Sequence, residues 1–457
     1  MDRVHIKKIE DFLDKEICIK GWVYNIREHG KVAFLDVKDI SGIVQCVITQ
    51  KIEDFSKMNE LSKGACVEIY GKVNKRPQGT ENEKSNVGNF EISINKLNIL
   101  NKCPVLPFDL ENLDTNEDIR LKYRYLDLRR ESMQNNLLLR SKIIKLIRDF
   151  LFEEGFNEFE TPILAKSTPE GARDYVVPSR TQAGKFYALP QSPQLFKQLM
   201  MVAGFEKYFQ IARCFRDEDL RANRQPEFTQ LDIEMSFVNQ EDIINLTEKL
   251  LKRIWKEILN VDIQIPFPRI SYDEAISKYG SDSPDLRKNK DDPKEFAFCW
   301  VLDFPAFEYS EEKKKYVAVH HPFTSPEMNS FNKDPKSAKA VAYDVVLNGS
   351  ELGGGSIRIH NPETQSKVFE FLGINKEEQE EKFGFLLDAL RFGAPPHGGI
   401  AWGLDRVVQL IIGADSIREV IAFPKNKDAK DLMLDAPSSI SDAQLRDAHI
   451  KLDLPKK

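Results

Sequence analysis

The sequence predicts an α+β protein: a small N-terminal β-barrel followed by a larger domain built on an antiparallel sheet flanked by helices. Three observations carry this reading. Residues 1–103 are a succession of short β-rich runs broken by turn residues. A long amphipathic pattern at helical spacing opens the remainder. Beyond it, strands and helices mix without the strict alternation of a doubly wound sheet, and hairpin-like pairs recur.

At 457 residues the chain exceeds what one ordinary core holds, so two or three domains are expected. The predicted division is a barrel over 1–103, a hinge over 104–134 and a main domain over 135–457.

In the first part, Ile17–Val23, Val32–Val37, Ile43–Ile48, Cys66–Val73 and Phe90–Leu97 read as strands. Gly30, Ser41-Gly42 and the stretch 76–88 punctuate them, and Ile52–Leu61 reads as one helical insert. Five short strands with a helical insert suit a barrel of the OB type; another small β-barrel without a nucleic-acid role fits the count equally. In the main domain, Leu139, Ile143, Leu146, Ile147 and Phe150 mark one face of a helix over Asn136–Glu154, with Gly155 as its C-cap.

Hydrophobic residues make up 41% and charged residues 30%, a balance that excludes a disordered chain. The net charge of -6 argues against a wholly basic nucleic-acid binder but leaves room for a local basic face. The six cysteines form no CxxC pair, which argues against a zinc ribbon or a disulfide framework and for a reducing compartment. The start carries no signal-like apolar region and no run is long enough to span a bilayer, so a cytoplasmic protein is expected.

The chemistry concentrates in Lys207–Phe237. Two alternating runs, Tyr208–Arg216 and Phe228–Met235, flank a polar loop over Asp217–Pro226 and form a hairpin. One face of the return strand (Thr229, Leu231, Ile233, Met235) belongs on a core. The other carries Phe228, Gln230, Asp232 and Glu234. A merely solvated face would favour Lys, Thr and Ser. Instead Arg216, Arg221 and Arg224 crowd the loop beside Asp217, Glu218 and Asp219, as suits a ligand with both phosphates and an amine.

The run from Arg213 through Cys214-Phe215-Arg216-Asp217-Glu218 to Gln225-Pro226-Glu227-Phe228-Thr229-Gln230-Leu231-Asp232-Ile233-Glu234 resembles motif 2 of the bacterial aspartyl-tRNA synthetases, class II enzymes of subclass b. Gly399-Ile-Ala-Trp-Gly-Leu-Asp-Arg406 is similar to class II motif 3, and the Asn136–Glu154 helix with Phe159-Glu-Thr-Pro162 to motif 1, which builds the dimer interface in that family. Alone, the second segment is a helix with a capping arginine, and the third a core helix and a strand.

The resemblance implies an ATP-dependent aminoacyl-tRNA ligase acting on aspartate. Arg216 would hold the α-phosphate and Arg406 the γ-phosphate, the two catalytic cations. Glu218, Gln225, Glu351, Gly403, Leu404 and Asp405 would contribute to the ATP site, and Phe228 would stack on adenine. Asp344 and Glu351, on either side of an Asn348-Gly349 turn, would bind Mg²⁺ between the phosphates. Aspartate would meet Gln194 and Lys197 of the Gln191–Lys197 segment, Arg358, the His320-His321 loop, and Glu170 with Asp232 at its ammonium group. A histidine pair is, without that context, more often structural.

Lys197 and Arg358 would present two positive charges to the β-carboxylate, so that asparagine leaves them unpaired. In the barrel, the resemblance points Arg27, Phe34, Gln45 and Glu91 at the anticodon of tRNA(Asp). Phe34 as a core residue is the rival there, and Tyr24-Asn25-Ile26 stands where the family carries arginines. The implied partners are tRNA, aspartate, ATP and a second copy of the chain, with tRNA(Asn) as an additional acceptor left open by the sequence.

One departure is plain. Tyr279–Arg287 resembles the run before the family's inserted domain and Cys299–Phe304 the run after it, with only a Lys/Asp-rich linker near 288–298 between. The insert is expected to be missing.

Overall fold

Alternation decides the barrel. Over Val32–Asp39, Ala33, Leu35 and Val37 are buried and the residues between them face outward, as a strand with one wet face requires. The computed structural model describes residues 1–82, 85–168, 171–218 and 223–454. The chain divides into two compact units, Met1–Thr115 and Asn116–Lys457.

The first unit is a closed barrel of β1 (Glu16–His29), β2 (Val32–Asp39), β3 (Gly42–Thr49), β4 (Cys66–Lys75) and β5 (Phe90–Asn101), in the order β1-β2-β3-β5-β4. Only the β3/β5 pairing is parallel. Closure leaves no free sheet edge. The expected helical insert is a 3₁₀ segment, Glu53–Glu60. Ile19, Val23, Leu35, Val44, Ile48 and Ile69 fill the interior.

In the second unit, α1 (Glu117–Lys122) and α2 (Arg124–Asp127) come first, then α3 (Glu131–Glu153). The stretch 104–134, expected as a hinge, is therefore helical over much of its second half. The reason is electrostatic: Asp127, fully buried, accepts from Arg120 at 2.8 Å and Arg124 at 2.5 Å and pairs with Arg130 at 2.9 Å. Helix α3 starts five residues earlier than Asn136 and buries Ile143, Leu146, Ile147, Phe150 and Leu151. It ends on Gly155 at φ 82°, where Phe156 N–H reaches Leu151 O at 2.9 Å, a left-handed cap that glycine permits.

The main sheet contains β6 (Asn157–Glu158), β9 (Lys207–Phe215), β10 (Glu227–Ser236), β11 (Arg269–Ser271), β12 (Phe298–Leu302), β15 (Ala342–Leu347), β16 (Ser350–Ile357) and β17 (His397–Gly403). Two small hairpins complete the strands, β7 (Val176–Pro178) with β8 (Phe186–Ala188) and β13 (Phe307–Ser310) with β14 (Lys315–Ala318). The sheet order is β11-β12-β15-β16-β17-β10-β9-β6, antiparallel except at its two outermost pairs. The expected antiparallel sheet is thus present.

The flanking helices are α4 (Gln194–Val202), α5 (Gln240–Leu259), α6 (Tyr272–Tyr279), α7 (Met328–Lys333), α8 (Pro362–Phe371), α9 (Lys376–Arg391), α10 (Leu404–Ile412) and α11 (Asp442–Asp447). The largest core joins α3, α5 and α10 to the sheet through residues such as Ile147, Leu231, Ile233, Trp255, Trp402 and Val407. At the linker near 288–298, the Glu295 carboxylate accepts the N–H groups of Lys288 and Asn289, both at 2.8 Å.

Candidate active site

Strand β10 is the axis of the site. Its core face buries Leu231 and Ile233, while Phe228, Gln230, Asp232 and Glu234 line the other face at every second residue. At about 3.3 Å per residue these groups span about 20 Å, long enough to hold two parts of one ligand.

At one end lies a cavity of about 230 Å³ lined by Arg216, Glu218, Gln225, Phe228, Glu351, Gly403, Asp405 and Arg406, among others. These are the predicted ATP residues, drawn from four separate segments. The Arg216 guanidinium sits 5.1 Å from the Phe228 ring centre, a cation over an aromatic face. Its buried Nε has no hydrogen-bond partner among the described residues. Arg406 donates to the carbonyl of Glu351. Glu218 accepts from Arg224 at 2.8 Å, so part of the loop's charge is internally matched; Arg221 and Asp219 lie outside the described residues.

Three predicted ATP residues carry structural duties. Gln225 is clamped at both ends of its amide by the Lys425 backbone, donating at 3.0 Å and accepting at 2.8 Å. Leu404 is fully buried in the main core, so its side chain does not line the cavity. Asp405 accepts from Arg140 and from the Thr229 N–H at 2.9 Å.

The β15–β16 hairpin turns at Asn348 and Gly349, with φ 51° and 81°, the left-handed pair an Asn-Gly turn supplies. It places Asp344 and Glu351 over the same backbone: a Cβ built on Gly354 would lie 2.5 Å from Asp344 Oδ1 and 3.7 Å from Glu351 Oε1. Burial first, then the Asp344 charge, push the Glu351 carboxyl up to about 7. Two crowded carboxylates over a glycine fit a hard divalent cation. Among the described residues no group of three or more His, Cys, Asp or Glu could hold a metal, so such a cation would need oxygens from its ligand.

Beyond Gln230, β10 carries the second cluster. Lys197, buried on α4, donates to Asp232 Oδ1 at 3.0 Å and lies 3.5 Å from Glu234 Oε2. Arg358 clamps Glu234 through Nε at 2.9 Å and Nη2 at 3.0 Å, while its Nη1 meets Ser356 at 2.6 Å and His321 Nε2 at 2.8 Å. The expectation that asparagine would leave these two cations unpaired is corrected here: each is already matched by a carboxylate, because unpaired charges are too costly to bury. Burial and then Arg358 hold His321 well below its usual range, so the ring is neutral and its Nε2 accepts from Arg358.

Glu234 was not among the predicted site residues, although its place on the face with Asp232 was the available signal. Open valences remain: Asp232 Oδ2 and Gln194 Nε2 are buried without a hydrogen-bond partner among the described residues. His320 lies 3.1 Å from Asp344 and edge-on to Phe304. Burial would lower its pKa, but the Asp344 and Glu351 carboxylates together outweigh this and the net shift is upward. Glu170 lies outside the described residues.

On the barrel, Arg27 donates to Asp36 at 3.0 Å and Gln45 at 3.1 Å, and Gln45 donates to Glu91 at 2.9 Å. The three predicted polar residues thus share one outer face. Arg76, not predicted, joins through Gln45 Oε1 at 2.8 Å. Phe34 is half-buried on the outward side of β2, edge-on to His29, and does not belong to the barrel core.

A family model of class II tRNA synthetases (D, K and N) matches residues 116–427, and one of OB-fold nucleic acid binding domains matches 17–100. The chain is 43% identical to the aspartate–tRNA(Asp/Asn) ligase of Thermoanaerobacter pseudethanolicus, over 98% of this chain and 97% of that protein. It belongs to the aspartate–tRNA ligase family of class II tRNA synthetases.

A second relative, the aspartate–tRNA ligase of Macrococcus caseolyticus, is 41% identical to this synthetase over 97% of each chain. The match to the Thermoanaerobacter protein runs over 575 positions against 457 residues here, so at least 118 positions have no counterpart in this synthetase. Among solved structures, the synthetase superposes on asparaginyl-tRNA synthetase from Pyrococcus horikoshii, crystallised with asparaginyl-adenylate. The TM-score is 0.76 with 25% identity, over 93% of this chain and 98% of that one. A putative aspartyl-tRNA synthetase from Leishmania major matches with TM-score 0.76 and 20% identity, over 93% and 94%. Among the described residues no helix is long and apolar enough to cross a membrane.

Proposed function

We propose that this synthetase activates L-aspartate with ATP and transfers it to tRNA(Asp), with tRNA(Asn) as a second acceptor, in the cytoplasm. The observation that carries the reading is the β10 face. It leads from the Phe228–Arg216 stack, suited to adenine and phosphate, to the buried Asp232 with an open oxygen beside Lys197 and Arg358.

The substrate ammonium would take Asp232 Oδ2. The β-carboxylate would take donors of Lys197 and Arg358 left over after Asp232 and Glu234 are served; an ammonium carries three N–H groups and a guanidinium five. The cluster holds two cations against two carboxylates, so an added carboxylate is stabilised only while both cations keep their charge. Asparagine would bring a neutral amide to donors poised for an anion, a mismatch that rejects it.

In the first step the aspartate α-carboxylate attacks the α-phosphorus of ATP in line, releasing pyrophosphate and leaving aspartyl-adenylate. Arg216 and Arg406 stabilise the phosphate charge, and no side chain forms a covalent intermediate. A Mg²⁺ held by Asp344 and Glu351 would neutralise phosphate oxygens. In the second step the 3′-terminal ribose hydroxyl of tRNA attacks the acyl carbon and the adenylate leaves.

The barrel face of Arg27, Phe34, Gln45 and Glu91 supports anticodon recognition, through one stacking ring and a row of base-edge donors and acceptors. Two copies would pair through the outer face of α3, where Leu138 and Phe152 are exposed. The positions that the relatives carry beyond this chain would be an inserted domain missing near 288–298, and the reaction would proceed without it. Charging of tRNA(Asp) and tRNA(Asn) transcripts with labelled aspartate tests the assignment: charging of neither would overturn it.

A further inference from the structure

Strand β17 ends where Gly403 pairs with Gln230, and the chain then turns into α10. The ladder therefore stops one residue short of Thr229 on that side of β10. Asp405, in the first turn of α10, fills the gap: its Oδ2 accepts the Thr229 N–H at 2.9 Å. The carboxylate thus stands in for the missing strand.

Its other oxygen accepts from Arg140 of α3, which also donates to Val420 O at 3.2 Å. Asp405 is 3% exposed, so without Arg140 it would be a buried charge held by one backbone N–H. Thr229 directly follows Phe228, whose ring carries the Arg216 guanidinium. Arg140 itself does not line the nucleotide cavity; it lines two neighbouring hollows that share Leu137 of α3.

We infer that Arg140 is a positioning residue for the nucleotide: through Asp405 it holds β10 at Thr229, and with it the Phe228 ring and the Arg216 stack. This rests on reading that cavity as the ATP site. A helix that contributes no lining residue to the cavity thereby sets the plane on which adenine lies.

The test uses the full chain, with Mg-ATP binding by calorimetry and ATP–pyrophosphate exchange at varied ATP and varied aspartate. Arg140→Ala is expected to raise the KM for ATP about tenfold while the KM for aspartate stays within about twofold. Arg140→Lys, which returns a cation to Asp405, is expected to recover most of that loss. An unchanged KM for ATP in Arg140→Ala would overturn the inference. So would an equal rise in both KM values with a lowered Tm and no recovery in Arg140→Lys. If Arg140→Ala is insoluble, Arg140→Gln, which removes the charge but keeps a long polar side chain, decides in its place: an ATP-only rise in KM of about threefold or more supports the inference, and wild-type kinetics overturn it. A wild-type protein that binds no Mg-ATP would instead sink the reading of the cavity.

Discussion

Lys197 Nζ lies 3.0 Å from Asp232 Oδ1, both side chains are almost fully buried, and the other Asp232 oxygen has no hydrogen-bond partner among the described residues. The pair is matched in charge but not saturated in hydrogen bonds. A buried carboxylate with an open oxygen is destabilised until a donor arrives, which an ammonium group supplies.

Asp232→Asn keeps the shape and removes the charge. It should raise the KM for aspartate about a hundredfold, as loss of a buried charge-assisted contact does, with a much smaller change in the KM for ATP. Varying each substrate in the exchange assay separates the two effects. Equal effects on both would place Asp232 outside the amino-acid site.

Lys197→Met leaves Asp232 and Glu234 with one cation between them. The expected cost is about 3–5 kcal/mol of stability, as for any buried pair broken from one side. Denaturant unfolding would show it as a lowered midpoint. A variant as stable as wild type would mean that the cluster is wetter than its burial implies.

The acidic pair predicts a pH dependence. The Glu351 carboxyl is raised to about 7 by burial, then by Asp344, against opposing contributions from Arg406 and His320 and a further push from Asp282. Because its folded pKa lies above the unfolded value, the free protein loses stability as pH rises from about 4.5 through 7. A cation bound there displaces the proton, so Mg²⁺ dependence should steepen below pH 7 and flatten above it. Titrating Mg²⁺ in the exchange assay at several pH values checks this, with Glu351→Gln as the variant in which the dependence is lost.

The barrel network separates the two halves of the reaction. Gln45→Ala removes the hub linking Arg27, Arg76 and Glu91. The KM for tRNA should rise about tenfold, the scale of a lost base contact, with ATP–pyrophosphate exchange unchanged. Loss of exchange in this variant would contradict the assignment of the barrel to tRNA.

Local pattern carried much of this in advance. The five barrel strands, the α3 stripe and the Asn-Gly hairpin each follow from periodicity or turn chemistry acting within a few residues. The split of β10 into an apolar core face and a face carrying Phe228, Gln230, Asp232 and Glu234 was likewise visible in its alternation. What stayed hidden were partners far apart in sequence: Arg358 with Glu234, Arg140 with Asp405, and Gln225 with the Lys425 backbone. Nothing in a local window says which carboxylate a buried cation will meet. The stretch 104–134 read as a hinge for the same reason, since the burial of Arg120 and Arg124 depends on Glu419 and on the carbonyls of Arg418, Ile421 and Ala422.

The most direct measurement is amino-acid-dependent ATP–pyrophosphate exchange without tRNA, comparing aspartate, asparagine, lysine and glutamate in the presence of Mg²⁺. Exchange with aspartate alone is the predicted result. Exchange with asparagine at a comparable rate, or with none of the four in folded protein, would contradict the account of the Lys197–Arg358 pocket.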